Sequence, residues 1–259
     1  MSQEKPSGST AVNSVRLEVG GPRATITLAR PPLNVINGAM MDEIVDALAA
    51  VAKSPAKLLV LRGEGKVFSA GADVAEHLPP DVASLLDRLR HVATALASLE
   101  IPSVVYAHGA ALGAGLEVAL VADLIYCAPG TKLGQPEIAL GVMAPLSAAY
   151  LPSQIGLRRA NDLLLSGRTI TPDEAKSWGV INDIVDEAGF ESIVAGLLQR
   201  SRPALMATKH ALAKGRTRTF DAALRETVSI YLDELMKAQD PVEGLKAFLE
   251  KRPPVFKDR

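Results

Sequence analysis

Cysteine is almost absent from this 259-residue chain, where Cys127 stands alone. That excludes an internal disulfide and any thiolate metal cluster supplied by one chain, zinc ribbons and fingers among them. Net charge is nearly absent too. Twenty-eight basic residues against 29 acidic ones leave a formal charge of -1, so no global field draws the protein to nucleic acid or to an anionic membrane. A polyanionic ligand must be held by local charge. Long apolar runs are also missing. The best membrane-span candidate, Ser103 to Ala122, is interrupted by His108, Glu117 and three glycines. The start, MSQEKPSGSTAVNS, lacks the apolar stretch of a secretory signal, so residues 1–14 read as a flexible polar leader and the protein as soluble and cytoplasmic. No G-x-S-x-G elbow and no glycine loop ending in Gly-Lys-Ser/Thr occurs, and His77, His91, His108 and His210 show no paired metal spacing. Serine-hydrolase, P-loop and metal routes therefore lack their usual signals, and no metal is expected.

What is present is 48% hydrophobic and 22% charged, the balance of a folded protein with a sizeable core. Alternation in VRLEV and ATITLAR around Gly20-Gly21-Pro22 predicts a two-stranded hairpin. Met40, Ile44, Ala47, Leu48 and Val51 recur at helical spacing over 39–51, with Asp42, Glu43 and Asp46 opposite. LLVLRG, 103–107 and DLIYCA are short runs apolar on both faces, and helices are predicted between them at about 81–98 and 114–122. Strands of that kind alternating with helices predict an α/β fold with parallel pairing. A capped helix at Thr171, a strand VINDIV and an almost wholly helical remainder follow. Cys127, Met143 and Trp178 read as core.

Two glycine-bearing segments stand out: Phe68-Ser69-Ala70-Gly71-Ala72-Asp73, and His108 to Glu117, which follows a buried strand and opens a helix. Free N–H groups in a first helical turn favour an anion or a developing oxyanion. Gly113-Ala114-Gly115 also fits half of a dinucleotide fingerprint, with Val118 where a third glycine or alanine belongs. An NAD(P)-dependent oxidoreductase therefore stays open, as does plain strand–helix packing. Glu117 lies in an otherwise apolar run, and Glu137 in apolar GQPEI. Brought to one pocket, the two would split their pKa values and serve as acid and base. Otherwise Glu137 pairs with an arginine and Glu117 caps a turn.

FSAGADV, HGAALGAGLEVALVADLIYCA, KLGQPEIALG, TPDEAKSWGVIND, PALMATKHAL and EGLKAFLEKRPPVFKDR resemble, in order, the crotonase or enoyl-CoA hydratase/isomerase superfamily. The resemblance implies a ClpP/crotonase-like spiral of ββα units at 15–195 and a helical region at 196–259 that builds a homotrimer or a dimer of trimers. It also implies an acyl-CoA substrate with no separate cofactor. Carried over, the N–H groups of Ala72 and Ala114 form an oxyanion hole, Glu117 activates water and Glu137 donates the proton. Lys66, Ala70 and Asp73 match CoA-binding positions, as do Phe248 and Lys251 from a neighbouring subunit.

Where most such hydratases carry a glycine-rich stretch after the second glutamate, this chain reads Val142-Met143-Ala144-Pro145-Leu146-Ser147. The acyl pocket, assigned to His77, Val142, Met143 and Pro145, must differ. With Glu76-His77-Leu78-Pro79, the pattern is similar to cyclohexa-1,5-diene-1-carbonyl-CoA hydratases of anaerobic aromatic degradation. It implies addition of water to a cyclic dienoyl-CoA, the alternatives being a linear enoyl-CoA hydratase or isomerase and a non-catalytic CoA-binding relative.

Overall fold

The computed structural model describes residues 14–200, 202, 205–209, 212, 225, 228, 230–237 and 239–255. The leader expected at 1–14 lies outside them but for Ser14, as does part of the region expected at 196–259. The hairpin forms as β1 (Val15–Gly20) and β2 (Arg23–Leu28), paired antiparallel. Asn37 caps α1 (Gly38–Ala52) by accepting the N–H of Met40. Then come β3 (Leu58–Gly63), α2 (Val82–Ala97), β4 (Ser103–Ala107), β5 (Ala110–Leu112), α3 (Ala114–Val121), β6 (Leu124–Cys127) and β7 (Lys132–Gly134). A 3-10 helix, Pro136–Leu140, leads to α4 (Pro145–Ile155), α5 (Leu157–Ser166), β8 (Thr169–Ile170), α6 (Pro172–Trp178), β9 (Asp183–Ile184) and α7 (Glu187–Leu198). The last element is α8 (Asp240–Leu249).

One sheet has the order β1-β2-β3-β4-β6-β9, and every pair from β2 onward is parallel. Its middle strands are apolar on both faces because both are covered. Leu59, Leu61 and Val105 enter the main core, while the alternating Leu58, Val60 and Val104 pack with Phe190 and Val194 of α7. VINDIV keeps only Asp183 and Ile184 as strand, paired with Tyr126 and Cys127 of β6, with Asn182 and Val185 donating on either side to the carbonyls of Ile125 and Cys127.

A second sheet, β5-β7-β8, was not predicted. Its strands have two or three residues each, too few for alternation to show. Together the sheets form a spiral in which a turn places one strand in the large sheet, one segment in the small one, and then a helix. β4, β5 and α3 make one turn, and β6, β7 and α4 the next. β3 precedes a turn whose small-sheet segment is reduced to a bridge between Ser69 and Ala111.

α6 opens with a capping box between Thr171 and Glu174. Trp178 packs against the edge of the core rather than inside it: it is half-buried, with the Arg168 guanidinium 5.2 Å from its ring centroid. α8 folds back on its own chain, so that a Cβ on Gly244 would collide with the Leu140 carbonyl. Part of the region expected for oligomerisation thus covers the chain's own 3-10 helix.

Candidate active site

Successive turns of the spiral leave the small sheet side by side, which brings together three segments far apart in sequence. Ser69 donates its N–H to Ala110 and accepts from Leu112, and Gly113 donates to Gly134. The chain therefore exits at Ala70–Ala72, at Gly113–Ala114 and at Gln135–Glu137 in adjacent rows. Gly71 (φ 115°) and Gly113 (φ 50°) face each other, and a Cβ on Gly113 would stand 3.7 Å from the Gly71 Cα. Positive φ at such an approach requires glycine. The next residues, Ala72 and Ala114, thus present their N–H groups from neighbouring turns, and no hydrogen bond within the described residues engages either group. Asn34, fully buried, steadies the first turn: its amide donates to the carbonyls of Glu64, Val67 and Phe68, and its own carbonyl accepts from the Ser69 hydroxyl.

A cavity of about 450 Å³ lies against these turns, and Ala70, Ala72, Ala114, Glu117 and Glu137 all line it. Of the expected acyl-pocket residues, His77, Val142, Met143 and Pro145 line it as well. Met143, also read as core, is therefore cavity wall. Phe248 lines this same chain's cavity, whereas the sequence reading brought it from a neighbouring subunit. Lys66, Asp73 and Lys251 are not among the lining residues. Lys66 is exposed, its carbonyl pressed against Gly109. Asp73 accepts the Ala75 N–H and lies 3.9 Å from Arg30, and Lys251 sits exposed past the end of α8.

Glu117 is 2% exposed, and its Oε1 accepts the Ser147 N–H at 2.9 Å. Because α4 has no side-chain cap of its own, the Glu117 carboxyl takes that place at the positive end of the helix. Capping and a place on the cavity wall thus coexist in one residue. Burial pushes Glu117 above the ordinary carboxylate range, and the N–H groups of Ser147 and Leu146 oppose that rise. Glu137 sits in the 3-10 helix, with its Oε1 so close to Gly113 that a Cβ there would come within 2.5 Å of it. Among the described residues no arginine pairs with it, and its Oε2 is buried without a partner. Burial raises its pKa first, and the charge of Glu117 raises it further. The two carboxyls share a low-polarity site, so near neutral pH they resist carrying two charges together and titrate as a pair. The His77 ring Nδ1 lies 2.9 Å from the Asp73 carbonyl, and burial lowers its pKa, keeping the imidazole neutral.

Several parts of the site were not read from the sequence. Leu85, Leu86 and Leu89 of α2 and Leu245 of α8 form apolar wall, and their helical spacing marks them only as buried. Gln135, 1% exposed, donates from Nε2 to the Ser147 hydroxyl behind Glu117. A polar residue in apolar company two positions before Glu137 was the available signal. Among the described residues, no group of three His, Cys, Asp or Glu side chains is placed to hold a metal, and no helix is long and apolar enough to cross a membrane. The dinucleotide alternative gains nothing here, since the turn that would approach a diphosphate already faces the Glu137 carboxyl.

The family model for enoyl-CoA hydratase/isomerase matches residues 22–259. A cyclohexa-1,5-dienecarbonyl-CoA hydratase of Thauera aromatica is 36% identical over 249 residues, covering 95% of this chain and 96% of that protein. A 2,3-dehydroadipyl-CoA hydratase of Escherichia coli K12 is 32% identical over 242 residues, with 90% and 94% covered. The crystal structure of an enoyl-CoA hydratase from Mycobacterium avium subsp. paratuberculosis K-10 superposes with a TM-score of 0.85 at 26% identity, over 95% of this chain and 99% of that one.

Proposed function

The chain belongs to the enoyl-CoA hydratase/isomerase family, and from that premise we propose that it is a hydro-lyase adding water to an unsaturated acyl-CoA thioester, with cyclohexa-1,5-diene-1-carbonyl-CoA as substrate. The observation that carries this reading is the convergence of Ala72, Ala114, Glu117 and Glu137 on one apolar cavity. The thioester oxygen accepts the N–H groups of Ala72 and Ala114, which are free to donate. Donors aimed at a developing enolate oxygen are worth about 3 kcal/mol each in transition-state stabilisation. Glu117, held by the start of α4, takes a proton from water as its oxygen bonds to the β-carbon. The electrons move through the thioester to a dienolate, and Glu137 delivers its proton to the far end of that dienolate. The product is 6-hydroxycyclohex-1-ene-1-carbonyl-CoA, and the proton taken by Glu117 restores the pair through solvent.

Support for the cyclic substrate comes from the Thauera relative and from the cavity wall. Val142, Met143 and Pro145 put side-chain volume beside Glu137 where the glycine-rich stretch of most hydratases would leave room. Purified protein is incubated with this dienoyl-CoA and with crotonyl-CoA, and product mass and absorbance are followed. Faster turnover of the cyclic thioester is expected, and preference for crotonyl-CoA would move the assignment to linear enoyl-CoA substrates. Glu117→Gln and Glu137→Gln should each lower kcat about a hundredfold or more. Unchanged kcat in both variants would remove the two glutamates from the chemistry, and no turnover of any enoyl-CoA by the wild type would leave only CoA binding.

A further inference from the structure

Among the described residues three buried side-chain atoms have no hydrogen-bond partner, the acceptors Oε1 of Gln135 and Oε2 of Glu137 and the hydroxyl of Tyr231; of the two acceptors, Glu137 is the one that lines the cavity. Tyr231 is fully buried and packs in one apolar cluster with Leu86, Val142 and Leu245, three residues that also line the cavity. Phenylalanine would fill that space without stranding a hydroxyl, which destabilises a fold when nothing pairs with it. Packing therefore accounts for the ring and not for the oxygen. We propose that Tyr231 is a positioning residue whose O–H donates, directly or through one water, to the Glu137 carboxylate formed when that group gives up its proton. This rests on Glu137 being the proton donor. Burial, together with the charges of Glu137 and Glu117, holds the phenol proton well above its ordinary range, so the group remains a donor.

The surrounding charges leave this role to the tyrosine. Glu117 is the ionisable group whose charge reaches Glu137, and His77 lines the same cavity. On the packed helices, Asp162 of α5 pairs with Arg168 and Glu243 of α8 with Arg252, while Arg158, Arg159 and Lys246 are exposed. On α2, Asp87 pairs with Arg90 and Arg88 with Asp42.

The test is Tyr231→Phe, assayed with cyclohexa-1,5-diene-1-carbonyl-CoA, or with crotonyl-CoA if wild type prefers it. Expected are a fall of about tenfold in kcat and a rise of about one pH unit in the alkaline limb of kcat/KM, because the carboxylate loses a donor. Tm should be unchanged or higher. In a Glu137→Gln background, Tyr231→Phe should add no further loss. Wild-type kcat with an unmoved limb, an additive loss in that background or an earlier melt would each overturn the proposal. Undiminished turnover by Glu137→Gln alone would instead overturn the reading of Glu137 itself.

Discussion

Gly113 shows how much one methyl group can matter. Its φ of 50° is in the left-handed region, and a Cβ there would meet Glu137 Oε1 at 2.5 Å. Gly113→Ala should strain the turn that presents the Ala114 N–H and also push the second carboxyl away. The expected outcome is a fall in kcat of at least about a hundredfold, the scale of losing one oxyanion donor, with Tm lowered by only a few degrees. Stopped turnover measurements and a thermal melt check both, and an alanine variant with wild-type kcat would show that the turn tolerates a side chain. At this scale the sequence was legible wherever a residue type conflicted with its company. Glu117 and Glu137 stand out as acids among apolar neighbours, and glycine clusters mark the turns. Tyr231 was not legible, since an aromatic in a helical stretch resembles any core residue.

Among the elements, the longer ones announced themselves and the shorter ones did not. α1 and α2 show helical spacing over 15 and 16 residues, and β3 and β4 are apolar throughout. β5, β7 and β8 carry almost no pattern, yet they align the three exits from which the site is built. The role of α4 was equally hidden: the segment was recognised as a departure in the acyl pocket, but its N-terminus also holds Glu117. α8 can be tested directly. Because a Cβ on Gly244 would collide with the Leu140 carbonyl, Gly244→Ala should shift the helix off the element that carries Glu137. We expect a loss of about 1–3 kcal/mol in stability, typical of overpacking, and a raised KM, since Leu245 and Phe248 line the cavity. Denaturant melts and steady-state kinetics read these out, and an unaffected KM would detach α8 from substrate binding.

For the whole molecule, the spiral leaves apolar surface uncovered. Leu157 is 62% exposed and Leu165 70% exposed, both on α5. Large side chains in the open on one helix are what a subunit interface leaves on a single chain, and the family resemblance implies three or six copies. Sedimentation equilibrium should therefore give the mass of three or six chains. Leu157→Asp with Leu165→Asp should lower it, and a monomeric wild type would overturn the oligomer that the resemblance implies.

The sequence by itself determined the α/β class, the order of the long elements, the two glycine turns and the pair of carboxyls, because periodicity and residues out of place act within a few positions of one another. Tertiary structure alone decided that Ala72, Ala114 and Glu137 exit in adjacent rows, that Phe248 reaches its own chain's cavity, and that Lys66 and Lys251 stay outside it. Those are contacts between successive turns of a spiral, set by hydrogen bonding between segments tens of residues apart, and no local pattern encodes the distance across them.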